Sequence, residues 1–153
     1  MSIAEQWGLP ADFQPVRFDI MDDVKSVMRD VLNTNEPVIV SLTNRSGTIT
    51  LLATPQRFFS VKTGELSGAG VTGCLVKEYP WAGINRLVGQ QAATNLRIAI
   101  HYRTSNGTDV EVGRRAAMGK PAVDTLTPFD LEKGRQALDA IIVIWQSKLS
   151  MAA

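Results

Sequence analysis

The sequence is poor in the two side chains that most often bind zinc. Cys74 is the only cysteine and His101 the only histidine among the 153 residues. A single cysteine excludes a disulfide within the chain, and a Cys/His zinc site needs about four ligands. We therefore expect no disulfide framework, no metal and no cofactor.

Long hydrophobic runs are also missing. The longest uninterrupted apolar run covers residues 140–145, whereas a membrane-spanning helix needs about 20 apolar residues. The first residues carry Glu5 and Asp12, have no basic start and contain no long apolar stretch, so they do not resemble a signal peptide. These absences predict no transmembrane segment and a cytoplasmic location.

Charge of one sign is not in excess either. The 16 basic and 15 acidic side chains give a net charge of +1. This balance gives no electrostatic reason to expect a nucleic-acid partner or an anionic membrane. With 44% hydrophobic and 20% charged residues, the chain has the composition of one globular domain.

The chain opens with an aromatic and proline-rich segment, residues 1–20, that contains Trp7, Phe13 and Phe18. We expect an irregular arm that packs these rings either on its own chain or on a neighbouring subunit. Residues 21–153 are then a single domain. Its first element is a short amphipathic helix over 22–33, because apolar residues recur there at helical spacing and Asp22 and Asp23 stand at its start.

From residue 37 to about 114 the hydrophobic period changes from 3.6 to 2 residues, which indicates strands. Seven short candidate strands are separated by turn signals, over residues 38–42, 48–53, 57–62, 71–78, 84–88, 96–103 and 108–112. Such a series without intervening helices predicts an antiparallel barrel or sandwich, in a fold that is α+β or mainly β.

The last two candidate strands are expected to pair as a hairpin. A three-residue loop over 105–107 would place Arg103 opposite Asp109 and His101 opposite Glu111, which keeps the apolar faces consistent. Each pair of opposite charges would contribute about 0.2–1 kcal/mol.

The clearest single element is a C-terminal helix of about five turns. Thr127 is its predicted N-cap and Pro128 its first residue. One apolar stripe, suited to covering the sheet, contains Leu131, Leu138, Ile142, Trp145 and Leu149. A second apolar set lies away from that stripe and must meet the arm, the first helix or another subunit. We expect this second set to form the interface of a homo-oligomer, and it consists of Ala137, Ala140, Ile141 and Ile144.

Three segments carry a resemblance to a known family. They are 51–64 (LLATPQRFFSVKTG), 77–91 (KEYPWAGINRLVGQQ) and 96–112 (LRIAIHYRTSNGTDVEV). Together with the layout of seven strands and one long C-terminal helix, they resemble bacterial pleckstrin-homology-like (PH-like) domains over about residues 34–150. The resemblance implies a bent seven-stranded barrel capped by the helix, in a module that self-associates or binds a protein partner.

The resemblance also points to an anion site. Eukaryotic members of the family bind phosphoinositides through basic residues around the first strand pair. The cations of this chain nearest to that place are Arg45, Arg57 and Lys62. Since a phosphate site needs several converging cations, binding to an anionic lipid surface is the weakest of the functional hypotheses.

No catalytic constellation stands out. Residues 68–73 match GxGxxG, but Pro80 follows too soon for the helix that a dinucleotide site needs, so we expect a glycine loop. His101 is expected to have a structural or solvated role and Cys74 to be an unreactive, buried thiol. The cations Arg114, Arg115 and Lys120 are expected to lie solvated in a loop.

Two functional hypotheses therefore remain. The sequence favours a non-enzymatic module that self-associates or binds a partner. The alternative is a small-ligand-binding or catalytic site beneath the C-terminal helix, to which Ser60, Thr50 and Tyr79 would contribute. Trp81 is either part of the core or an exposed anchor for a partner.

Overall fold

The computed structural model of the chain describes residues 3–64, 73–103, 110–111, 114–115 and 121–152. The helices in these ranges are α1 (Ile3–Gln6), α2 (Asp22–Val31) and α3 (Leu131–Ala152), and a 3-10 turn covers Trp81–Gly83. The strands are β1 (Val16–Arg17), β2 (Val40–Thr43), β3 (Ile49–Ala53), β4 (Arg57–Thr63), β5 (Cys74–Pro80), β6 (Ile84–Ala92), β7 (Asn95–Arg103), β8 (Val110–Glu111), β9 (Arg114–Arg115) and β10 (Pro121–Asp130).

Most strands belong to two sheets, which together with the long C-terminal helix give an α+β fold. The five-stranded sheet has the order β1-β2-β3-β4-β5, and its strands are antiparallel except that β1 runs parallel to β2. The three-stranded sheet has the order β10-β7-β6 and is antiparallel. β8 and β9 pair separately. The two sheets do not close into a barrel, so that expectation is wrong, whereas the strand-rich centre and the C-terminal helix are confirmed.

Strand β10 occupies residues that the sequence analysis assigns to a loop and to the start of the helix. It changes the neighbours of β7, which lies between β6 and β10. His101 consequently pairs with Arg86 and Val123, and Glu111 pairs with Arg114. The predicted pairing of His101 with Glu111 is therefore wrong. Residues 105–107 and 109, the rest of that predicted hairpin, lie outside the described residues.

Helix α2 covers one face of the five-stranded sheet. Its buried contact with β3 and β4 consists of Val24, Met28, Leu52, Phe59 and Val61. Since side chains alternate along a strand, Phe58 and Ser60 point to the opposite face, toward the other sheet. The predicted first helix is confirmed, with Asp22 and Asp23 in its first turn, where the helix dipole favours carboxylates.

Helix α3 packs on the side of the five-stranded sheet opposite α2. Its buried side chains share one core with inward residues of both sheets, and they include Ala137, Ala140, Ile141 and Ile144. These four were expected at an oligomer interface. Inside the single chain they are almost fully buried, which leaves no surface at these positions for a second copy, so the expectation is corrected.

The helix α3 begins at Leu131, three residues after its predicted first residue Pro128, because Thr127 and Pro128 belong to β10. The N-cap is Asp130, whose carboxylate accepts a hydrogen bond from the backbone N–H of Lys133 at 2.9 Å. In the part of the chain that the structure describes, no helix is both long and apolar enough to cross a membrane.

The N-terminal arm packs on its own chain. Ala4 and Leu9 are buried in the main core, and Trp7, Phe13 and Phe18 lie partly buried against it. β1 anchors the arm because it adds a parallel strand to the edge of β2. Of the two alternatives left open by the sequence, the structure has the arm on its own chain.

A tight crossing between α3 and β7 explains the glycine in the first turns of α3. A Cβ atom at Gly134 would lie 3.0 Å from Leu96 Cδ2 and 3.3 Å from the Cβ atoms of Leu96 and Phe129.

We predict that Gly134→Leu lowers the free energy of unfolding by about 1–3 kcal/mol, because overpacking forces the core apart. Urea denaturation measures the change. Arg135→Leu, at the exposed neighbouring position, is the control, and an equal loss in both variants would contradict the crossing.

Candidate functional site

The three cations expected to bind an anion do not converge. Arg57 and Lys62 are five positions apart on β4, so they face opposite sides of the sheet and lie about 17 Å apart along it. Arg45 follows β2, where its guanidinium bonds the carboxylate of Asp130 and the carbonyl of Thr94, each at 3.1 Å. The expectation that these cations share one lipid or anion site is therefore corrected.

Arg57 is bound instead to a buried carboxylate. Its Nε donates to Oε2 of Glu36 at 2.8 Å and its Nη2 to Oε1 of the same residue. The Thr54 hydroxyl also donates to Glu36, at 2.7 Å, and Arg57 Nη1 lies 3.3 Å from Glu78 Oε1. The hydrogen bonds from Arg57 outweigh the cost of burial and lower the pKa of Glu36 to about 2. This pair ties the segment before β2 to the start of β4, and it is a structural ion pair.

The other residues singled out in the sequence lie apart from one another. His101 is half-exposed on the outward face of the three-stranded sheet. Cys74 lies half-buried against α2, so it is less buried than expected, and burial together with the nearby charge of Asp23 raises the pKa of its thiol. The backbones of Arg114 and Arg115 form β9. Residues 68–72 and 120 lie outside the described residues.

Trp81 belongs to the core. It is 4% exposed, and its ring meets Phe58 edge-on with the centroids 5.6 Å apart. The indole N–H donates to the carbonyl of Thr54 at 3.3 Å. Of the two roles left open by the sequence, the structure gives Trp81 the packing role.

The most unusual polar cluster of the described residues lies between the two sheets. Its members project from the inner faces of four strands: Ser60 (β4), Lys77 and Tyr79 (β5), Tyr102 (β7) and Asp124 (β10). Strand alternation explains how they meet, because Ser60 is directly opposite Lys77, and Asp124 lies on the same face as Tyr102. Groups from both sheets are thereby brought to one place.

The cluster is connected by hydrogen bonds centred on Asp124. Lys77 Nζ lies 2.6 Å from Asp124 Oδ2 and also donates to the hydroxyl of Tyr102. Tyr79 donates its proton to Asp124, so the 3.2 Å contact between Ser60 Oγ and the Tyr79 oxygen must use the Ser60 proton. The ammonium of Lys77 also lies 4.4 Å from the ring centroid of Tyr102. The carboxylate is thus neutralised by one cation and held by one phenol.

A cavity of about 270 Å³ opens beside this cluster. We call it the Lys77 cleft, and it is lined by Val76, Lys77, Glu78, Tyr79, Pro80, Gly83, Tyr102 and Arg103. Its walls combine apolar and aromatic surface with a few polar groups, the composition typical of a small-molecule site. The volume lies near the lower end of the range for such sites, about 300 Å³.

Protonation in the cleft is fixed by these contacts. Burial is the largest single influence on Lys77 and acts to lower its pKa, but the bonds to Asp124 and Tyr102 together raise the pKa above its ordinary value. Burial, with the charge of Asp124, raises the pKa of Tyr79 far above its ordinary value. At neutral pH the lysine is therefore an ammonium and Tyr79 a neutral phenol, so neither is a base or a nucleophile.

The cleft was only partly foreseen from the sequence. The sequence predicts Ser60 and Tyr79 as pocket residues, and the structure brings their hydroxyls together. It predicts Thr50 beside them, but Thr50 faces the opposite side of its sheet, where it bonds Thr43 at 3.1 Å. The sequence does not predict Lys77 or Asp124 as site residues. The available signal was that Lys77 occupies an inward position on its strand. The site lies between the sheets, and its lining contains no residue of α3.

No group of three or more His, Cys, Asp or Glu residues that could hold a metal ion occurs within the described ranges. Comparisons with protein-family models, with curated proteins and with solved structures find no match to this chain. We therefore infer function from the geometry of the cleft and of the surface.

The buried pair of Glu36 and Arg57 makes a prediction about acid stability. Because the folded state lowers the pKa of Glu36 from 4.5 to about 2, the carboxylate contributes stability above about pH 4.5 that is lost as the pH falls toward 2. We predict that Glu36→Gln lowers the free energy of unfolding by about 3 kcal/mol at pH 6. The difference from the wild type should shrink steadily between pH 5 and pH 2.

Urea denaturation across this pH range measures the effect. Asp12→Asn is the matched acid-to-amide control, since Asp12 is exposed in the arm. A gap between wild type and Glu36→Gln that stays constant with pH would show that the carboxylate charge does not stabilise the fold.

Proposed function

We propose that the chain is a non-enzymatic binding module whose ligand is a small molecule with a carboxylate group, held in the Lys77 cleft. One observation carries the proposal. A protonated ammonium, 35% exposed, stands in the wall of a cavity whose lining combines aromatic and apolar side chains with two further charged residues, Glu78 and Arg103. A carboxylate would accept a charge-assisted hydrogen bond from this ammonium while the rest of the ligand fills the apolar part of the cavity.

Lys77 has a donor available for such a ligand. An ammonium carries three N–H bonds, and among the described residues Asp124 and Tyr102 accept two of them. These two acceptors also fix the ammonium in place, so a ligand need not restrict a long flexible side chain on binding.

The protonation states favour binding over catalysis. General acid–base work at neutral pH needs a group that exchanges its proton near pH 7. The raised pKa values of Lys77 and Tyr79 move both groups away from that range. The cluster supplies fixed donors, which suits recognition.

The order of the elements supports a PH-like arrangement as part of this proposal. Four consecutive antiparallel strands, β2 to β5, are followed by β6, β7 and β10 and then by α3. In this assignment β1 comes from the arm, and the pair β8–β9 is an insertion between β7 and β10. The proposal leaves out self-association through α3 and lipid binding at Arg57, because the residues expected to perform them are buried or paired.

The test is a thermal-shift and calorimetric screen with benzoate, phenylacetate and hexanoate, and with the corresponding amides as uncharged controls. We expect at least one carboxylate to raise Tm, because a ligand of the native state stabilises it, and its amide to bind at least tenfold more weakly. Backbone NMR should place the largest shifts at Val76 and Gly83.

Two variants make the screen decisive. Lys77→Met should abolish binding, whereas Lys62→Met, an exposed lysine on the neighbouring strand, should leave it unchanged. If Lys77→Met fails to fold because Asp124 is left unpaired, Lys77→Met/Asp124→Leu removes both charges together. Binding that survives in these variants, NMR shifts elsewhere, or no carboxylate that raises Tm would each overturn the proposal.

A further inference from the structure

The outward face of the three-stranded sheet differs sharply in charge from its inner face. Strand alternation and the observed register place Arg86, Val88, Arg97, Ala99, His101, Arg103 and Val123 on the outward face. Arg86 and Arg97 are exposed, and neither makes an ion pair with any residue that the structure describes. We call this surface the outer face of the small sheet.

The described positions of this face contain no carboxylate. Strands β6 and β7 have no acidic residue, and β10 has two. Asp124 points into the Lys77 cleft, and Asp130 caps α3 and bonds Arg45. The positive charges of Arg86 and Arg97 therefore have no opposing charge within this sheet.

An apolar strip runs between the cations. Val123 is 46% exposed, one of the most exposed large hydrophobic side chains of the described residues, and it lies directly opposite His101. Ala99 and Val88 continue the strip as half-exposed neighbours on the other two strands. A surface of small apolar groups flanked by arginines is suited to a partner that presents acidic side chains on either side of small apolar ones.

We propose that the outer face of the small sheet binds an extended acidic segment of a partner protein. Arg86 lies opposite His101, and Arg97 stands four residues from His101, about 13 Å along the strand. In an extended peptide, two residues four positions apart are separated by the same distance of about 13 Å, and their side chains point to the same side. Two acidic side chains at that spacing would meet the arginines while small apolar side chains between them cover Ala99 and Val123.

The chemistry of the face favours a protein segment over other anionic partners. Single-stranded nucleic acids bind sheets through exposed aromatic rings, and the aromatic residues of these strands, Tyr102 and Phe129, face inward. Anionic membranes attract clusters of about four to eight cations. The described outward positions of the three strands supply three arginines, Arg86, Arg97 and Arg103.

The experiment uses four probes on the full chain: a glutamate–valine peptide of repeating Glu-Ser-Val-Ser, which in an extended chain places glutamates four residues apart with valine between them on the same side, its lysine–valine counterpart, an oligo(dT) strand, and vesicles containing phosphatidylserine. We expect the glutamate–valine peptide to bind, to shift the NMR signals of Ala99 and Val123, and to weaken as salt rises. The double variant Arg86→Glu/Arg97→Glu should bind this peptide at least tenfold more weakly.

The matched control is Arg29→Glu/Arg135→Glu, which makes the same change in net charge at two exposed positions on α2 and α3, and its affinity should stay within twofold of the wild type. Arg86→Gln/Arg97→Gln repeats the test with a milder change if charge reversal prevents folding. Equal loss in the control, unchanged binding in both arginine variants, no binding of the acidic peptide, or preferred binding of oligo(dT) or vesicles would overturn the proposal.

Discussion

The carboxylate of Asp124 lies in the space between the two sheets, and a charge in that position must be compensated. Lys77 supplies the opposite charge and Tyr79 a further donor, both from the edge strand of the other sheet. Removing one partner would leave the other charge half-buried and unpaired, a cost beyond the loss of the bond itself. The Asp124–Lys77 bond therefore restricts which register β10 and β5 can adopt relative to each other, and it forms one wall of the cleft.

This same residue shows why β10 was not foreseen. A strand packed on one face is recognised by apolar residues at alternate positions, but here Asp124 points inward and Val123 outward, which inverts the pattern at the centre of the strand. The pair Thr127 and Pro128, at the strand's far end, also has the residue types of a helix start. The strands β2 to β7 have regular alternation or continuous apolar runs, and those were predicted at nearly the observed positions.

The candidate site was harder to predict than the elements that carry it. On β3 both Leu51 and Leu52 are fully buried, so the apolar pattern does not show which side Thr50 faces. Because α2 covers one face of β3 and the three-stranded sheet covers the other, both sides of this strand carry apolar side chains. Only the observed pairing, with Ser60 opposite Leu51 and Val61 opposite Thr50, separates the residues of the cleft from those beneath α2. Such pairing depends on distant contacts, which local sequence patterns do not record.

The inverted pattern of β10 also separates the two proposed sites. Had Asp124 faced outward, it would have lain on the same face as His101 and Arg86 and reduced the positive charge of the outer face. With Asp124 inward, its negative charge is compensated in the cleft, and Arg86 and Arg97 have no carboxylate beside them in their own sheet. Apart from Arg103, which ends β7 and also lines the cleft, the two sites share no residue, because alternation places Tyr102 on one face and His101 on the other. Substitutions at Lys77 and at Arg97 should therefore combine additively, as distant positions without common partners do, so that each binding activity can be tested in a protein that retains the other.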